Sequence, residues 1–117
     1  IALDPFPFNG ATTTFEALTM GVPVITLTGD HFVSRVATSL VTHVGHSEFA
    51  AESYDQYVYI AKKLTDNIDN LNLIRQNLRQ QLLNSSLCDG INYAKNVEVA
   101  FRNMWKNWCK TGGYKGK

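Results

Sequence analysis

Asn9-Gly10-Ala11-Thr12-Thr13-Thr14-Phe15-Glu16-Ala17-Leu18-Thr19-Met20-Gly21-Val22-Pro23-Val24-Ile25-Thr26-Leu27 is the stretch on which the reading of this chain turns. Asn9-Gly10 marks a turn after the apolar Ile1-Ala2-Leu3, and three threonines stand where a helix needs an N-cap. Gly21 suits the left-handed position that ends a helix, and Pro23 forbids its continuation. Val24-Ile25-Thr26-Leu27 is a short β-branched run of the kind buried on both faces of a parallel sheet. Strand, loop, helix and strand make a βαβ unit, with the loop at the edge where open α/β sheets bind ligands.

The end of the helix sets the chemistry expected there. Its first turn carries free N–H groups and a partial positive charge, which favour a phosphate or diphosphate at Thr12, Thr13 and Thr14, with Gly10 and Ala11 completing the loop. Glu16, one turn in, has the spacing to reach the hydroxyls of a ribose. The same Thr13-x-x-Glu16 spacing is also a capping box, in which the glutamate folds back onto the cap N–H. The loop has neither the lysine of a P-loop nor the glycine triplet of a dinucleotide fingerprint.

Composition narrows the class. The chain has 117 residues, 44% of them hydrophobic, with 11 basic and 10 acidic side chains, which suits one small domain with a real core. A net charge of +1 gives no ground for nucleic-acid or membrane binding. No run approaches the roughly 20 apolar residues of a membrane span, and no signal peptide is visible. Cys88 and Cys109 form no CxxC pair, so reduced thiols in a cytoplasmic or nuclear compartment are expected. A sheet of two or three strands starting at the first residue leaves an unpaired edge. The expectation is a piece of a longer protein, whose edge strand could pair into a homodimer.

The remaining segments are read in order. Asp4-Pro5-Phe6-Pro7-Phe8 breaks out of the first strand, and Phe6 and Phe8 are expected to wedge against the core. Thr28-Gly29-Asp30-His31 is a second loop on the same sheet edge. Ser34 is expected to open a helix with Val36, Leu40, Val41 and Val44 on its apolar face, stopped by Gly45. His31 and Arg35 would flank the cleft, with Arg35 pairing either a phosphate or Asp30. No carboxylate or thiolate stands at ligand spacing from His43 and His46, so no metal site is expected. Glu48-Phe49-Ala50-Ala51 reads as the last strand or an extended turn.

Beyond it the chain reads as helical. Ser53-x-x-Gln56 caps a helix with Tyr57, Ile60, Ala61 and Leu64 on one stripe, and Asp66-Asn67 breaks the run. Leu71, Ile74, Leu78 and Leu82 line the next helix. A last helix over residues 91–108 carries Tyr93, Val97, Phe101, Met104, Trp105 and Trp108 along one stripe, which should be buried against something and would be partly exposed with the rest of a larger protein removed. Residues 110–117 are polar and Gly-rich and should be disordered.

The run from Phe6 through Asn9-Gly10-Ala11-Thr12-Thr13-Thr14-Phe15-Glu16-Ala17-Leu18 to Met20-Gly21-Val22-Pro23-Val24 resembles the donor-binding region of the protein O-GlcNAc transferase family. It resembles still more the plant SPINDLY branch, whose members transfer O-fucose. Ser34-Arg35-Val36-Ala37 and Arg102-Asn103-Met104-Trp105-Lys106 extend the resemblance, which runs from Leu3 to about Cys109. The resemblance implies an α/β fold: the second half of the Rossmann-like C-terminal lobe of a GT-B glycosyltransferase, with a short parallel sheet and a helical C-terminus. Residues 1–109 would form this partial lobe, and tetratricopeptide repeats would precede the catalytic region. It further implies that Thr12 and Thr13 bind the donor diphosphate and that Glu16 binds the ribose. Members using UDP-GlcNAc carry a histidine where this chain has Ala11, and the GDP-fucose branch does not, so Ala11 leans toward GDP-fucose.

The function expected is donor binding within an inverting, metal-independent protein O-glycosyltransferase that uses UDP-GlcNAc or GDP-fucose, acts on Ser/Thr hydroxyls and needs no cofactor. The catalytic base and the protein-acceptor contacts would lie outside these residues, leaving the chain inactive alone. The alternative is a non-catalytic interaction module, with the residue 93–108 stripe as its docking face.

Overall fold

The computed structural model describes residues 1–112. Its sheet has three parallel strands in the order β1 (Ala2–Leu3), β2 (Val24–Leu27), β3 (Ala50–Ala51). Ala2 lies opposite Val24 and Leu3 opposite Ile25, while Thr26 and Leu27 lie opposite Ala50 and Ala51. The β-branched run therefore takes the central position, where both faces are covered. Val24 faces one cluster with Leu18, Val41, Val44, Phe49, Leu78 and Leu82. Ile25 faces the opposite cluster with Ala51, Tyr57 and Ile60. This is the period-two alternation of a strand.

The helices supply those clusters. α1 (Thr12–Thr19), α2 (Val36–His43) and α4 (Ile68–Asn84) cover the Val24 face through Leu18, Val41, Leu78 and Leu82. α3 (Tyr54–Asp66) covers the Ile25 face through Tyr57 and Ile60. Gly21, at φ +69°, ends α1, and a Cβ there would stand 2.6 Å from the Arg75 carbonyl oxygen. The Arg75 Nε–H donates to the Gly21 carbonyl at 3.2 Å. That close approach lets α4 seat on the α1–β2 turn, and only glycine permits it. The α/β class, the short parallel sheet and the helical C-terminus are those expected from sequence.

Several local expectations need correction. A 3-10 turn at Phe32–Ser34 precedes α2, which starts at Val36 because the Ser34 hydroxyl is committed to the His31 carbonyl at 3.0 Å. A second 3-10 turn, Ser47–Phe49, leaves only Ala50–Ala51 as β3, and it buries Phe49. Phe6 packs on Tyr54 and Tyr57, with ring centroids 5.3 and 5.6 Å away, but Phe8 remains exposed.

The last helix is α5 (Gly90–Thr111), capped by Asp89 and packed chiefly against the 3-10 turn Ser86–Cys88. Tyr93, Phe101, Met104, Trp105 and Trp108 are exposed on it. The radius of gyration, 18.2 Å, accordingly exceeds the roughly 13 Å of a compact domain of this length. Lys110 and Thr111, expected in a disordered tail, are helical, and Gly112 closes the helix at φ +72°. The rest of that expected tail, 113–117, lies outside the described residues.

Candidate functional site

The loop between β1 and α1 is built on Asp4. This carboxylate, only 4% exposed, follows β1 at the carboxyl edge of the sheet. Its Oδ1 accepts the Gly10 N–H at 2.8 Å and the Thr14 hydroxyl at 3.5 Å. Its Oδ2 accepts the Thr26 hydroxyl at 2.8 Å. The Asp4 backbone carbonyl accepts the Tyr57 hydroxyl at 2.9 Å. Burial first, and then the Asp4 charge, raise the Tyr57 phenol above its ordinary pKa. Loop, α1, β2 and α3 thus converge on one residue.

Gly10 fits because it has no side chain. A Cβ there would lie 2.5 Å from the Thr13 hydroxyl, 2.8 Å from the Thr14 hydroxyl and 3.1 Å from Asp4 Oδ1. Thr14 is buried, and its hydroxyl is spent on the Gly10 carbonyl at 3.1 Å as well as on Asp4. Thr12 and Thr13 are exposed, as are Ala11 and Glu16. The expected set therefore divides: Thr12 and Thr13 present free hydroxyls, whereas Thr14 is a structural tie.

The capping box that the Thr13-x-x-Glu16 spacing also allows does not form. α1 starts at Thr12 with Ala11 at the cap position and no side-chain cap, so Thr13 is already inside the helix. α3, α4 and α5 are each capped by their own side chain, from Ser53, Asn67 and Asp89. At α1 the first main-chain bond runs from the Phe15 N–H to the Ala11 carbonyl at 3.0 Å. Among the described residues the N–H groups of residues 11–14 find no acceptor. The Glu16 carboxylate has no hydrogen-bond partner there either, and helical spacing sets it on the face of Thr12 and Thr13. The result is an uncapped, exposed helix end with a carboxylate one turn beyond it.

The second loop is stitched to the first by the Asn9 N–H, which donates to the Val33 carbonyl at 2.9 Å. Asn9 is buried, and its Oδ1 has no partner. His31 lines a groove of about 570 Å3 with Phe6, Tyr54, Glu52 and Ser34, also on the carboxyl edge. Arg35 is exposed and borders a different depression, with Phe32 and Val36. The Arg35–Asp30 pair is not among the ion pairs of the described residues. His31 and Arg35 thus line separate depressions, and neither Thr12 nor Thr13 lines either of them. His46 is engaged by Glu48 and Gln81 at 2.8 and 2.9 Å. Among the described residues no His, Cys, Asp and Glu side chains cluster as metal ligands, and no helix is long and apolar enough to cross a membrane.

Asp4, Thr26 and Tyr57 were not legible as site residues in the sequence. The available signal was a carboxylate directly after a strand at the ligand edge, facing a glycine turn.

The chain as a whole is similar to known proteins. Residues 1–97 match the profile of Glycosyl transferase family 41. The SPINDLY protein of Arabidopsis thaliana, named a "probable UDP-N-acetylglucosamine--peptide N-acetylglucosaminyltransferase", is 41% identical over 94% of this chain. The chain spans 12% of that relative's length. A UDP-N-acetylglucosamine--peptide N-acetylglucosaminyltransferase of Caenorhabditis elegans is 32% identical over 92% of the chain, which covers 9% of it. A solved structure, the K341M mutant of Thermobaculum terrenum O-GlcNAc transferase, superposes with a TM-score of 0.87 at 36% identity, over 97% of this chain and 22% of its own.

Proposed function

The chain belongs to glycosyltransferase family 41, and on that premise we propose that it is the nucleotide-sugar-binding part of a protein O-glycosyltransferase that moves GlcNAc or fucose onto Ser/Thr hydroxyls. The observation that carries this reading is the uncapped, exposed start of α1, with free N–H groups at residues 11–14 and the Thr12 and Thr13 hydroxyls beside them. A donor diphosphate supplies the acceptors that this helix end lacks. Glu16, one helical turn or about 5.4 Å further, takes the ribose hydroxyls.

In this reading, charge that builds on the leaving diphosphate during glycosyl transfer is met by the α1 N–H groups and two threonine hydroxyls. These are fixed before reaction, so stabilisation needs little reorganisation. The same donors can serve where other transferases use a metal ion, and the transfer is inverting. The base and the acceptor contacts belong to other regions of the protein, so this chain alone is inactive. The protein acts on cytoplasmic or nuclear proteins. Ala11, in place of a histidine donor, favours GDP-fucose over UDP-GlcNAc.

Titration with UDP, GDP and their sugar conjugates, followed by amide NMR, tests the reading. Shifts confined to residues 10–16 with one base preferred are expected. In the full-length protein, an unchanged donor KM after Thr12→Ala and Thr13→Ala overturns it.

A second reading has one observation in its favour, the exposed stripe of Phe101, Met104, Trp105 and Trp108. As a non-catalytic interaction module the chain would bind a partner through α5 and would show no response to any nucleotide.

A further inference from the structure

We infer that Asp4 is a positioning residue for the donor: its buried carboxylate sets the orientation in which the start of α1 is presented to the diphosphate. This rests on the reading of residues 10–14 as the donor loop. Asp4 touches no ligand position, and a negative charge below an anion site opposes binding, so its contribution there is geometric.

The geometry is specific. A carboxylate accepts at both oxygens, and here each is used by a different element. Oδ1 takes the Gly10 N–H from the loop and the Thr14 hydroxyl from α1, and Oδ2 takes the Thr26 hydroxyl from β2. The two bonds at 2.8 Å, from Gly10 and Thr26, are charge-assisted and about twice as strong as neutral ones, while the Thr14 contact at 3.5 Å is weaker. They turn the Gly10 N–H inward and hold the Thr14 hydroxyl inside. What remains without a protein acceptor is the set of N–H groups at residues 11–14, with the exposed side chains of Thr12 and Thr13 beside them. Thr26 lies in the central strand with no exposure at all, so the loop is referenced to the most rigid part of the sheet.

An amide weakens this set. Asn at position 4 offers one acceptor oxygen and one NH2 donor: with the oxygen toward Gly10, the Thr26 hydroxyl must reverse and accept from the NH2, and its own proton loses its acceptor. The charge that strengthens the bonds is lost as well, so the tie between loop and β2 loosens while the volume at position 4 is kept.

The test uses full-length protein carrying Asp4→Asn, with affinity for UDP and GDP measured by calorimetry and initial rates measured against donor and acceptor separately. We expect about tenfold weaker nucleoside-diphosphate binding and a matching rise in donor KM, as for other lost supporting contacts, with acceptor KM unchanged. A merely structural role lowers the melting temperature and kcat through the folded fraction and leaves donor KM in place; that result overturns the proposal. Thr12→Ala and Thr13→Ala are run beside it. If they weaken nucleotide binding and Asp4→Asn does not, the proposal fails and the donor loop stands. If none of the three has an effect, both fail. Should Asp4→Asn not fold, Thr26→Val removes one of the three bonds at constant shape, and an unchanged donor KM for that variant overturns the proposal equally.

Discussion

The Asp4 carboxylate and the Gly10 backbone N–H meet at 2.8 Å across the turn that leads into α1, and a methyl group on Gly10 would lie 3.1 Å from the same oxygen. That pair decides where the exposed helix end points. Gly10→Ala must also displace the Thr13 and Thr14 hydroxyls, at 2.5 and 2.8 Å from the added carbon. Thr13 can rotate into solvent, but Thr14 is buried. We expect a loss of about 1–3 kcal/mol in denaturant melts, as for overpacking elsewhere, together with loss of nucleotide-induced amide shifts. A variant as stable as the parent would show that the loop yields freely.

Thr13→Ala and Glu16→Gln separate ligand contact from helix capping. Neither side chain caps α1, so each variant should stay within about 0.5 kcal/mol of the parent. Ser53→Ala, which removes the hydroxyl that accepts the Gln56 N–H at 3.2 Å, should cost about 1 kcal/mol. Urea melts of the three rank them. A larger loss for Thr13→Ala than for Ser53→Ala would restore a structural role to Thr13.

Two leucines five residues apart on α4 should differ sharply. Leu78 has no exposure and sits in the cluster with Leu18 and Val41, whereas Leu83 is 52% exposed. Leu78→Ala is expected to cost about 2–5 kcal/mol, and Leu83→Ala to fall within about 0.5 kcal/mol. Equal losses would contradict the packing of α4 on the sheet.

Tyr57 gives a pH dependence with a definite sign. Its pKa is raised in the folded state by burial and then by the Asp4 charge, so the native state holds the phenolic proton more tightly than the unfolded chain. The stability this contributes is complete below the ordinary tyrosine pKa of about 10 and is lost as pH rises through the folded value. Ionisation also removes the donor to the Asp4 carbonyl. Melts of the parent and Tyr57→Phe from about pH 8 to 11 should converge at the alkaline end. Parallel curves would exclude Tyr57 as the group responsible.

Trp105→Ser and Phe101→Ser should leave the melting curve of this chain unchanged while reducing its tendency to associate. Both side chains are exposed, at 65% and 64%, on a helix that packs chiefly against one 3-10 turn. A cooperative loss of stability would reveal a packing partner within the chain.

The order of elements, the central β2, the glycine stop at Gly21 and the stripes of α3 and α4 were legible because they follow from local rules: β-branched runs, helical spacing and residues with restricted φ. The family could be recognised for the same reason, since its motif is a continuous run through the β1–α1–β2 unit. What sequence could not decide was which of the competing local bonds would form. Thr13 and Glu16 had the spacing of a capping box, yet the helix starts at Thr12, outside that register. Thr14 had the look of a ligand contact, yet its hydroxyl turns inward, to the Gly10 carbonyl at 3.1 Å and, at 3.5 Å, to the carboxylate that Asp4, ten residues earlier, places beneath it. Thr26, 22 residues beyond Asp4, supplies the second anchor. Periodicity and turn chemistry act over a few residues and so can be read along the chain. The direction of a buried carboxylate depends on donors that only the folded sheet brings within hydrogen-bond distance.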